Sequence, residues 1–185
     1  MKNDLSVREA EESDLENIID YFLKADRQFL HGMGVDPVKL PTKEKWLTLI
    51  SSDHKQPIES KSLFYVIWLL DQVPIGHSNI NKINFGEEAY MHLHMWRGDN
   101  RQKGIGLEFV KMSLPYYFNN FKLKNLYCEP YALNPAPNKT LKKLGFDLIK
   151  QYETIPGWIG FHQPVNKWRM TSQNINRFRA DSRDR

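Results

Sequence analysis

Residues 96–106 read WRGDNRQKGIG and connect a predicted strand to a predicted helix. Gly104 and Gly106 carry no side chains, so the backbone amides around them can approach a ligand closely. The start of the helix adds partial positive charge, and Arg101 and Lys103 add formal charge beside it. This combination predicts a turn that holds the pyrophosphate of a bound ligand.

Three phosphate-binding patterns are candidates for this turn. The P-loop requires Gly-Lys-Ser/Thr after four spacer residues, and that ending is absent. The dinucleotide fingerprint requires a third glycine where the chain has Phe109. The remaining pattern, Arg/Gln-x-x-Gly-x-Gly/Ala, is met by Arg101, Gly104 and Gly106. It is the coenzyme A signature of the Gcn5-related N-acetyltransferase (GNAT) superfamily, which the chain therefore resembles.

A second motif, NPAPNKTLKKLGF at residues 134–146, resembles the other hallmark of that family, Asn-x-x-Ala/Ser before a short helix that ends in Gly-Phe. Asn134 can cap this helix, Pro135 suits its first position, and Gly145 can adopt the left-handed conformation that ends it. The spacing from the glycine turn leaves room for one helix and one strand. The resemblance covers residues 5–170, and the specific motifs lie within residues 89–146.

Hydrophobic periodicity and turn residues predict the remaining elements. Ser13 and Glu16 match a capping box at the start of the first helix, and Thr42 matches a cap of the second. The predicted elements are an N-terminal strand, helices at residues 14–30 and after Thr42, strands at 63–70, 73–80 and 89–96, a helix at 104–118 that Pro115 kinks or shortens, a strand at 125–129, a helix at 135–144, and strands at 146–154 and 159–170.

The order of these elements predicts an α/β fold of the α+β type. A strand–helix–strand crossover in the middle joins parallel strands, whereas the other neighbours run antiparallel. We expect a GNAT-like mixed, mostly antiparallel twisted sheet of six or seven strands with a central parallel pair, and about four helices. The length of 185 residues fits one acetyltransferase domain, residues 1–170, and a basic, flexible tail at 171–185.

Composition narrows the functional classes. The proportions of hydrophobic residues (41%) and charged residues (26%) are those of a globular protein, so disorder is not expected before the tail. The longest apolar stretch, residues 63–70, is too short for a bilayer, and the N-terminus lacks a signal-peptide core. We therefore expect a cytoplasmic protein without a membrane partner. A net charge of +4 suits an anionic cofactor and is weak evidence for nucleic-acid binding. The lone cysteine, Cys128, is expected to be a buried strand residue.

The resemblance implies that acetyl-CoA is the cosubstrate. In the family, the strand before the glycine turn splays away from its parallel neighbour, and the acyl-pantetheine arm enters the gap. By resemblance, backbone amides near Met95 and Trp96 hold this arm and face the thioester oxygen. The other cofactor-binding positions that we predict are Arg101, Gln102, Lys103, Gly104, Ile105, Gly106, Asn134 and Asn138.

Acetyl transfer to an amine requires a base, and His92 and His94 are the best candidates because a neutral imidazole titrates near working pH. A pair of hydrogen-bonded structural histidines fits the pattern equally well. Glu129, at the end of the next strand, is an alternative base. Leu141 stands where many family members have a tyrosine acid, so Tyr131 or water is expected to protonate the thiolate. The histidines lack a third and fourth ligand in the sequence, so no metal is expected.

The resemblance places acceptor recognition at residues 29–34 and 155–159. Phe29, His31 and Trp158 could form an aromatic wall there, although such residues are also common in cores. We expect a primary amine, on a small molecule or at a peptide N-terminus, to attack directly in a ternary complex. A catalytically inactive CoA-binding sensor is the alternative, motivated by Leu141. A homodimer is compatible with the sequence.

Overall fold

The computed structural model describes residues 4–96, 98 and 104–175. Within these residues the chain forms seven strands and five α-helices, with short 3-10 turns between some of them. In chain order they are β1 (Leu5–Glu9), α1 (Leu15–Leu23), α2 (Arg27–Gly32), α3 (Lys43–His54), β2 (Phe64–Leu70), β3 (Val73–Asn84), β4 (Glu88–Met95), α4 (Ile105–Phe121), β5 (Asn125–Cys128), α5 (Pro135–Lys143), β6 (Asp147–Thr154) and β7 (Gln163–Thr171).

The seven strands form one sheet in the order β1-β2-β3-β4-β5-β7-β6. Every neighbouring pair is antiparallel except β4 and β5, which are parallel. Helix α4 is the crossover between these two strands, as a parallel connection requires. The predicted mixed, mostly antiparallel sheet with one central parallel pair is therefore confirmed.

The sheet separates two apolar cores. Helix α4 packs on one face, and α1 and α3 pack on the other. Strand β4 contributes to both, because its side chains alternate between the faces. Met91 is fully buried in the α4 core, whereas the ring of His94 lies 5.0 Å from that of Phe22 on α1. Met91 and His94 therefore lie on opposite faces of the sheet.

The predicted first helix, residues 14–30, is interrupted. Helix α1 ends at Leu23, and Asp26 starts α2 by accepting a hydrogen bond from the amide of Phe29 at 2.8 Å. This side-chain cap satisfies a backbone amide that a continuous helix would satisfy internally. The break explains why there are five helices among the described residues instead of about four.

The predicted capping box of Ser13 and Glu16 is wrong. A 3-10 turn at Glu12–Asp14 precedes α1, and Asp14 accepts a hydrogen bond from the Glu11 amide at 2.8 Å. The guanidinium of Arg8 donates to both carboxylate oxygens of Asp14, which is 3% exposed. The contact with Arg8 of β1 therefore holds Asp14 in the position where it accepts from the Glu11 amide, and this contact is not local in sequence.

Pro115 does not shorten α4, which continues to Phe121 and ends before Lys122 in a left-handed conformation (φ 52°). The other predicted elements are present with ends shifted by a few residues. Beyond β7, Ile175 is buried in the α4 core, so packing continues past residue 170. Residues 176–185 of the predicted tail lie outside the described part of the chain. None of the helices described is both long enough and apolar enough to span a bilayer.

Candidate active site

A gap opens between the two parallel strands. The β4–β5 pairing extends only from Glu88 opposite Asn125 to Tyr90 opposite Tyr127. Strand β4 continues to Met95, still paired with β3 on its other side, whereas β5 ends at Cys128. Among the described residues, the second half of β4 is therefore not paired with β5, as the resemblance predicts.

The backbone of β4 alternates between its two neighbours. The Trp96 amide donates to the Ile75 carbonyl at 2.9 Å, so it faces β3 and not the gap. Because alternate residues of a strand direct their N–H and C=O groups to opposite sides, those of Leu93 and Met95 face the gap. The Trp96 amide is therefore engaged by β3, whereas the backbone of Met95 faces the gap, and contact of these residues with the thioester stays a prediction.

The glycine turn presents bare backbone at the start of α4. Gly104 is the N-cap of this helix in a left-handed conformation (φ 77°), without a side-chain cap. Within the described part of the chain, a Cβ atom placed on Gly104 or Gly106 would meet nothing within 4 Å. The first amides of the helix can therefore reach an anion beside the turn. Arg101, Gln102 and Lys103, predicted to assist, lie outside the described residues.

One cavity of about 730 Å³ joins the glycine turn to the opposite face of the sheet. Gly104, Gly106 and Val110 line it at the α4 end, and Cys128 lines it at the gap. On the other face it is lined by side chains of α1, α2, α3 and the β6–β7 connection, including Phe29, Trp46 and Trp158. A ligand in this cavity would pass through the sheet at the point where β4 and β5 separate.

Helix α5 borders the same cavity. The Asn134 side chain accepts from the Ala136 amide at 3.3 Å, Pro135 is the first helical residue, and Gly145 is left-handed (φ 70°). The predicted capping chemistry is confirmed. Leu141, at the position of the family tyrosine, is fully buried in the α4 core. Asn134 lines the cavity.

Both polar atoms of the Asn138 side chain form hydrogen bonds within the protein. Its Nδ2 donates to the carbonyls of Asn134 (2.7 Å) and Tyr131 (3.1 Å). Its Oδ1 accepts from Asn166 Nδ2 (2.9 Å) and from the indole of Trp168 (2.8 Å). The bonds from Asn166 and Trp168 attach α5 to β7, and Asn138 is not among the residues that line the cavity.

Three histidines lie together at the gap. His92 and His94 line the cavity, and His77 on β3 is directly opposite His94. The rings of His77 and His94 are stacked with centroids 4.7 Å apart. The Trp96 indole donates to Nδ1 of His77 at 2.7 Å, so the proton of neutral His77 is on Nε2. His94 Nδ1 is buried and has no hydrogen-bond partner among the described residues.

Burial keeps these imidazoles neutral. It lowers the pKa of His92 to about 4, with the charge of Lys82 acting in the same direction. It lowers the pKa of His77 to about 3, and it lowers that of His94 well below the usual value, in both cases aided by neighbouring histidines. His92 is within 3.2 Å of Asn81 Oδ1. At neutral pH all three rings can accept a proton, although each is a weak base.

Glu129 and Tyr131 lie at the end of β5 and line the cavity. The Glu129 side chain is only 4% exposed, and its carboxylate lies 3.7 Å from Lys167 Nζ. It also accepts a hydrogen bond from the Tyr152 hydroxyl, and burial together with this carboxylate raises the pKa of Tyr152. The Tyr131 ring contacts that of Phe161 at 6.0 Å. The charge of Glu129 is thus already compensated.

At the acceptor end, Phe29 and Trp158 line the cavity, as predicted. Trp158 packs edge-to-face on the buried Trp46, with ring centroids 5.7 Å apart. His31 differs, because it stacks on Phe161 at 4.7 Å and is not among the lining residues. The aromatic residues at this end of the cavity therefore include Phe29 and Trp158 but not His31, and Trp46 lies beside Trp158.

Comparison with known proteins identifies the family. A model of the acetyltransferase (GNAT) domain matches residues 4–147. The chain belongs to the GNAT family. No curated protein sequence matches it significantly.

Solved GNAT structures share the fold. A ribosomal L7/L12 alpha-N-protein acetyltransferase in complex with coenzyme A has a TM-score of 0.72 at 15% identity, covering 90% of this chain and 93% of that one. A Vibrio cholerae spermidine N-acetyltransferase, in complex with CoA and spermine, has a TM-score of 0.75 at 16% identity, covering 93% of this chain and 98% of that one. The aminoglycoside acetyltransferase AAC(6')-Ib, in complex with coenzyme A and kanamycin, has a TM-score of 0.71 at 16% identity, covering 95% of this chain and 99% of that one. At these identities the likeness concerns the fold.

The cavity of this GNAT domain brings most of the predicted positions together. Trp96, Ile105, Asn138 and His31 are not among its lining residues. The predicted residues that line it are His92, His94, Glu129, Tyr131, Met95, Gly104, Gly106, Asn134, Phe29 and Trp158.

The residues of the GNAT cavity that were not predicted include His77, Trp46 and Gln163. His77 could have been found by aligning β3 with β4, because residues opposite each other share a face. Trp46 is a buried residue of α3. Gln163 reaches the cavity through a contact with Gly34, which no local pattern reveals.

Proposed function

We propose that this GNAT protein acetylates a primary amine, on a small molecule or at a peptide N-terminus, with acetyl-CoA as cosubstrate. The observation that carries the proposal is the cavity that runs from the bare glycine turn, through the gap beside β4, to neutral histidines and an aromatic wall. Amine acceptors of the spermidine and aminoglycoside acetyltransferases with the same fold support the reaction class.

The residues present fit the cosubstrate. The open space beside Gly104 and Gly106 gives a diphosphate access to the start of α4. Lys139 and Lys143 of α5 line the same cavity and favour an anion. The backbone groups of Leu93 and Met95 face the gap, where they can hold an extended arm as a strand would. Acetyl-CoA would supply the acetyl group as an activated thioester.

His92 is the proposed base. Because its ring is neutral, it can accept a proton from the incoming ammonium directly or through a water molecule. In the balanced reaction the amine nitrogen bonds to the acetyl carbon, the bond from that carbon to sulfur breaks, one ammonium proton ends on the thiol and another passes to solvent. The low pKa of His92 makes it a weak base, so turnover should rise with pH as the free amine fraction rises.

Direct attack by the amine is favoured over an acyl-cysteine intermediate. Cys128 lines the cavity, but burial raises the pKa of its thiol. The thiolate is the nucleophilic form of cysteine, and this environment disfavours it. The thiolate of the leaving group would be protonated by Tyr131 or water, since Leu141 has no acidic group. A cytoplasmic location and a homodimer remain predictions.

The test is release of free thiol from acetyl-CoA with a panel of primary amines. We expect amine-dependent release, and we expect His92→Gln to lower kcat about 100-fold or more with little change in CoA affinity. His162→Gln is the control, because this histidine is 68% exposed and lies outside the cavity lining. CoA binding without release for any amine would favour the sensor alternative. Unchanged turnover in His92→Gln would remove His92 from the mechanism.

A further inference from the structure

Strand β3 has an irregularity beside the proposed base. Asn81 is opposite Tyr90 of β4, and the next pair along the strands is Asn84 opposite Glu88. Asn81 to Asn84 spans three residue steps, whereas Tyr90 to Glu88 spans two, so β3 contains one extra residue, as in a β-bulge. Lys82, within this bulge, is left-handed (φ 47°), which is uncommon for a residue other than glycine. The alternation of side chains along β3 therefore changes here.

The bulge brings two consecutive side chains to the same face of the sheet. The Oδ1 of Asn81 lies 3.2 Å from Nε2 of His92. Lys82 Nζ lies 4.9 Å from the ring centroid of Tyr90, which is two residues from His92 on β4 and shares its face. Ile83 instead packs against the α4 core on the other face. In a regular strand the side chains of Asn81 and Lys82 would lie on opposite faces.

The contact with Asn81 determines which nitrogen of neutral His92 carries the proton. The oxygen of a side-chain amide only accepts hydrogen bonds, so Nε2 of His92 is the donor. A neutral ring has one such proton, and Nδ1 is therefore the nitrogen that can accept another. Both residues line the cavity. When Nδ1 takes a proton from the incoming ammonium, Nε2 still donates to Asn81, so the same hydrogen bond stabilises the charged ring.

Lys82 contacts the connection that lines the acceptor end of the cavity. Its Nζ donates to the Pro156 carbonyl at 3.2 Å. Pro156, Gly157 and Trp158 of the β6–β7 connection line the cavity, whereas Lys82 is not among the lining residues. The hydrogen bond therefore ties this wall of the cavity to the strand that holds Asn81. A wall that is ordered before the acceptor arrives lowers the entropic cost of binding it.

We propose that Asn81 and Lys82, brought to one face by the bulge in β3, are positioning residues of the transfer reaction. Asn81 fixes the tautomer of His92 so that Nδ1 receives the proton. Lys82 holds the β6–β7 connection in the shape that receives the acceptor. Loss of Asn81 should therefore lower kcat, and loss of Lys82 should raise the KM for the amine. This inference rests on the proposed function, because it concerns the base and the acceptor wall of the same reaction.

NMR of the histidine ring nitrogens in isotopically labelled protein tests Asn81 without any substrate. The His92→Gln spectrum identifies the signals of His92. In wild type the proton should be on Nε2, where the hydrogen bond protects it from exchange with water. The Nε2–H signal should be lost in Asn81→Leu and retained in Asn81→Asp, which keeps an acceptor oxygen. A proton on Nδ1 in wild type, or an Nε2–H signal that Asn81→Leu leaves unchanged, would overturn the role of Asn81.

Thiol release at saturating acetyl-CoA then gives kcat and the KM for the amine. The amine is the fastest-reacting member of a panel of phenethylamine, spermidine, kanamycin and a short alanine peptide. Asn81→Leu should lower kcat about tenfold or more with little change in KM, and Asn81→Asp should restore most of it. Asn84→Leu is the control, because Asn84 is exposed and outside the cavity lining. An unchanged kcat in Asn81→Leu, or equal losses in both Asn81 variants, would contradict the positioning role.

Lys82→Met should raise the KM for the same amine about threefold or more, with kcat and CoA affinity close to wild type, and Lys82→Arg should reverse the change. Lys122→Met is the matched control. Lys122 is also exposed and left-handed (φ 52°), its ammonium lies 5.7 Å from the Phe85 ring, and it is outside the cavity lining. Amide hydrogen exchange in residues 155–160 should be faster in Lys82→Met than in Lys122→Met. Equal KM values and equal exchange in these two variants would refute the role of Lys82.

The outcomes separate this inference from the proposed function. If no amine releases thiol but the tautomer and the exchange rates are as expected, the enzyme activity fails, and the positioning by Asn81 and Lys82 is supported. If thiol is released but Asn81→Leu and Lys82→Met behave like their controls, the activity stands and the inference fails.

Discussion

Acidification should destabilise this fold through its buried histidines, well before the carboxylates are protonated. The pKa of His77 is lowered to about 3 and that of His92 to about 4, from 6.5, chiefly by burial. Between these values and 6.5 the unfolded chain binds more protons than the folded one, so stability falls as pH falls. Stability is complete above about pH 7 and is lost progressively below it.

The size of the effect follows from the two pKa values of each histidine. Near pH 5 an unfolded histidine is almost fully protonated, whereas His77 and His92 remain neutral in the fold. Each then lowers the free energy of unfolding by about 2 kcal/mol relative to about pH 8, or about 4 kcal/mol together. Protonation of His77 at Nδ1 would also abolish its hydrogen bond from the Trp96 indole.

Urea denaturation at about pH 8 and about pH 5 measures this loss directly. His77→Gln and His92→Gln cannot be protonated, so each should reduce the pH-dependent loss by about 2 kcal/mol. A wild-type free energy of unfolding that is equal at the two pH values would refute the reasoning, because it would mean that the histidines are solvated or already charged in the fold.

Two further substitutions test the packing of β3 on β4 and the attachment of α5, which both border the cavity. Gly76→Ala places a Cβ atom 2.6 Å from the His94 carbonyl on β4, so we expect it to lower the free energy of unfolding by about 1–3 kcal/mol. Gly32→Ala is the control, because its Cβ atom meets nothing within 4 Å among the described residues, and it should be neutral or stabilising. Urea denaturation measures both variants. Asn138→Ala removes four hydrogen bonds and leaves the Trp168 indole unpaired, so it should lower the free energy of unfolding by about 2–3 kcal/mol. It should also lower CoA affinity, because α5 would be held less firmly. A variant as stable as wild type would contradict the anchoring role of Asn138.

The parts of the fold that local chemistry controls could be predicted from the sequence. Gly104 and Gly145 have positive φ angles, which favour glycine, and Asn134 caps the helix that it precedes. These features depend on neighbours in sequence, and the structure has them where the patterns predicted.

One feature that sequence analysis missed is local: Asp26 caps α2 and interrupts the first helix, although the apolar spacing on both sides fits one continuous helix. The other missed features depend on contacts between distant segments. The position of His77 opposite His94 depends on the register of β3 against β4, which an irregularity between Asn81 and Asn84 shifts. Gln163 enters the cavity only because the β6–β7 connection crosses to Gly34. None of these arrangements has a local signature.

The central claim is that bare backbone at Gly104 holds the diphosphate of CoA, and calorimetric titration of CoA into two glycine variants tests it most directly. Gly104 and Gly86 have nearly equal left-handed angles (φ 77° and 80°), and a Cβ atom on either meets nothing within 4 Å. Gly104→Glu and Gly86→Glu therefore introduce the same strain and charge, but only Gly104 lines the cavity. Gly104→Glu should abolish CoA binding while Gly86→Glu binds like wild type. Retained CoA affinity in Gly104→Glu would contradict the placement of the diphosphate.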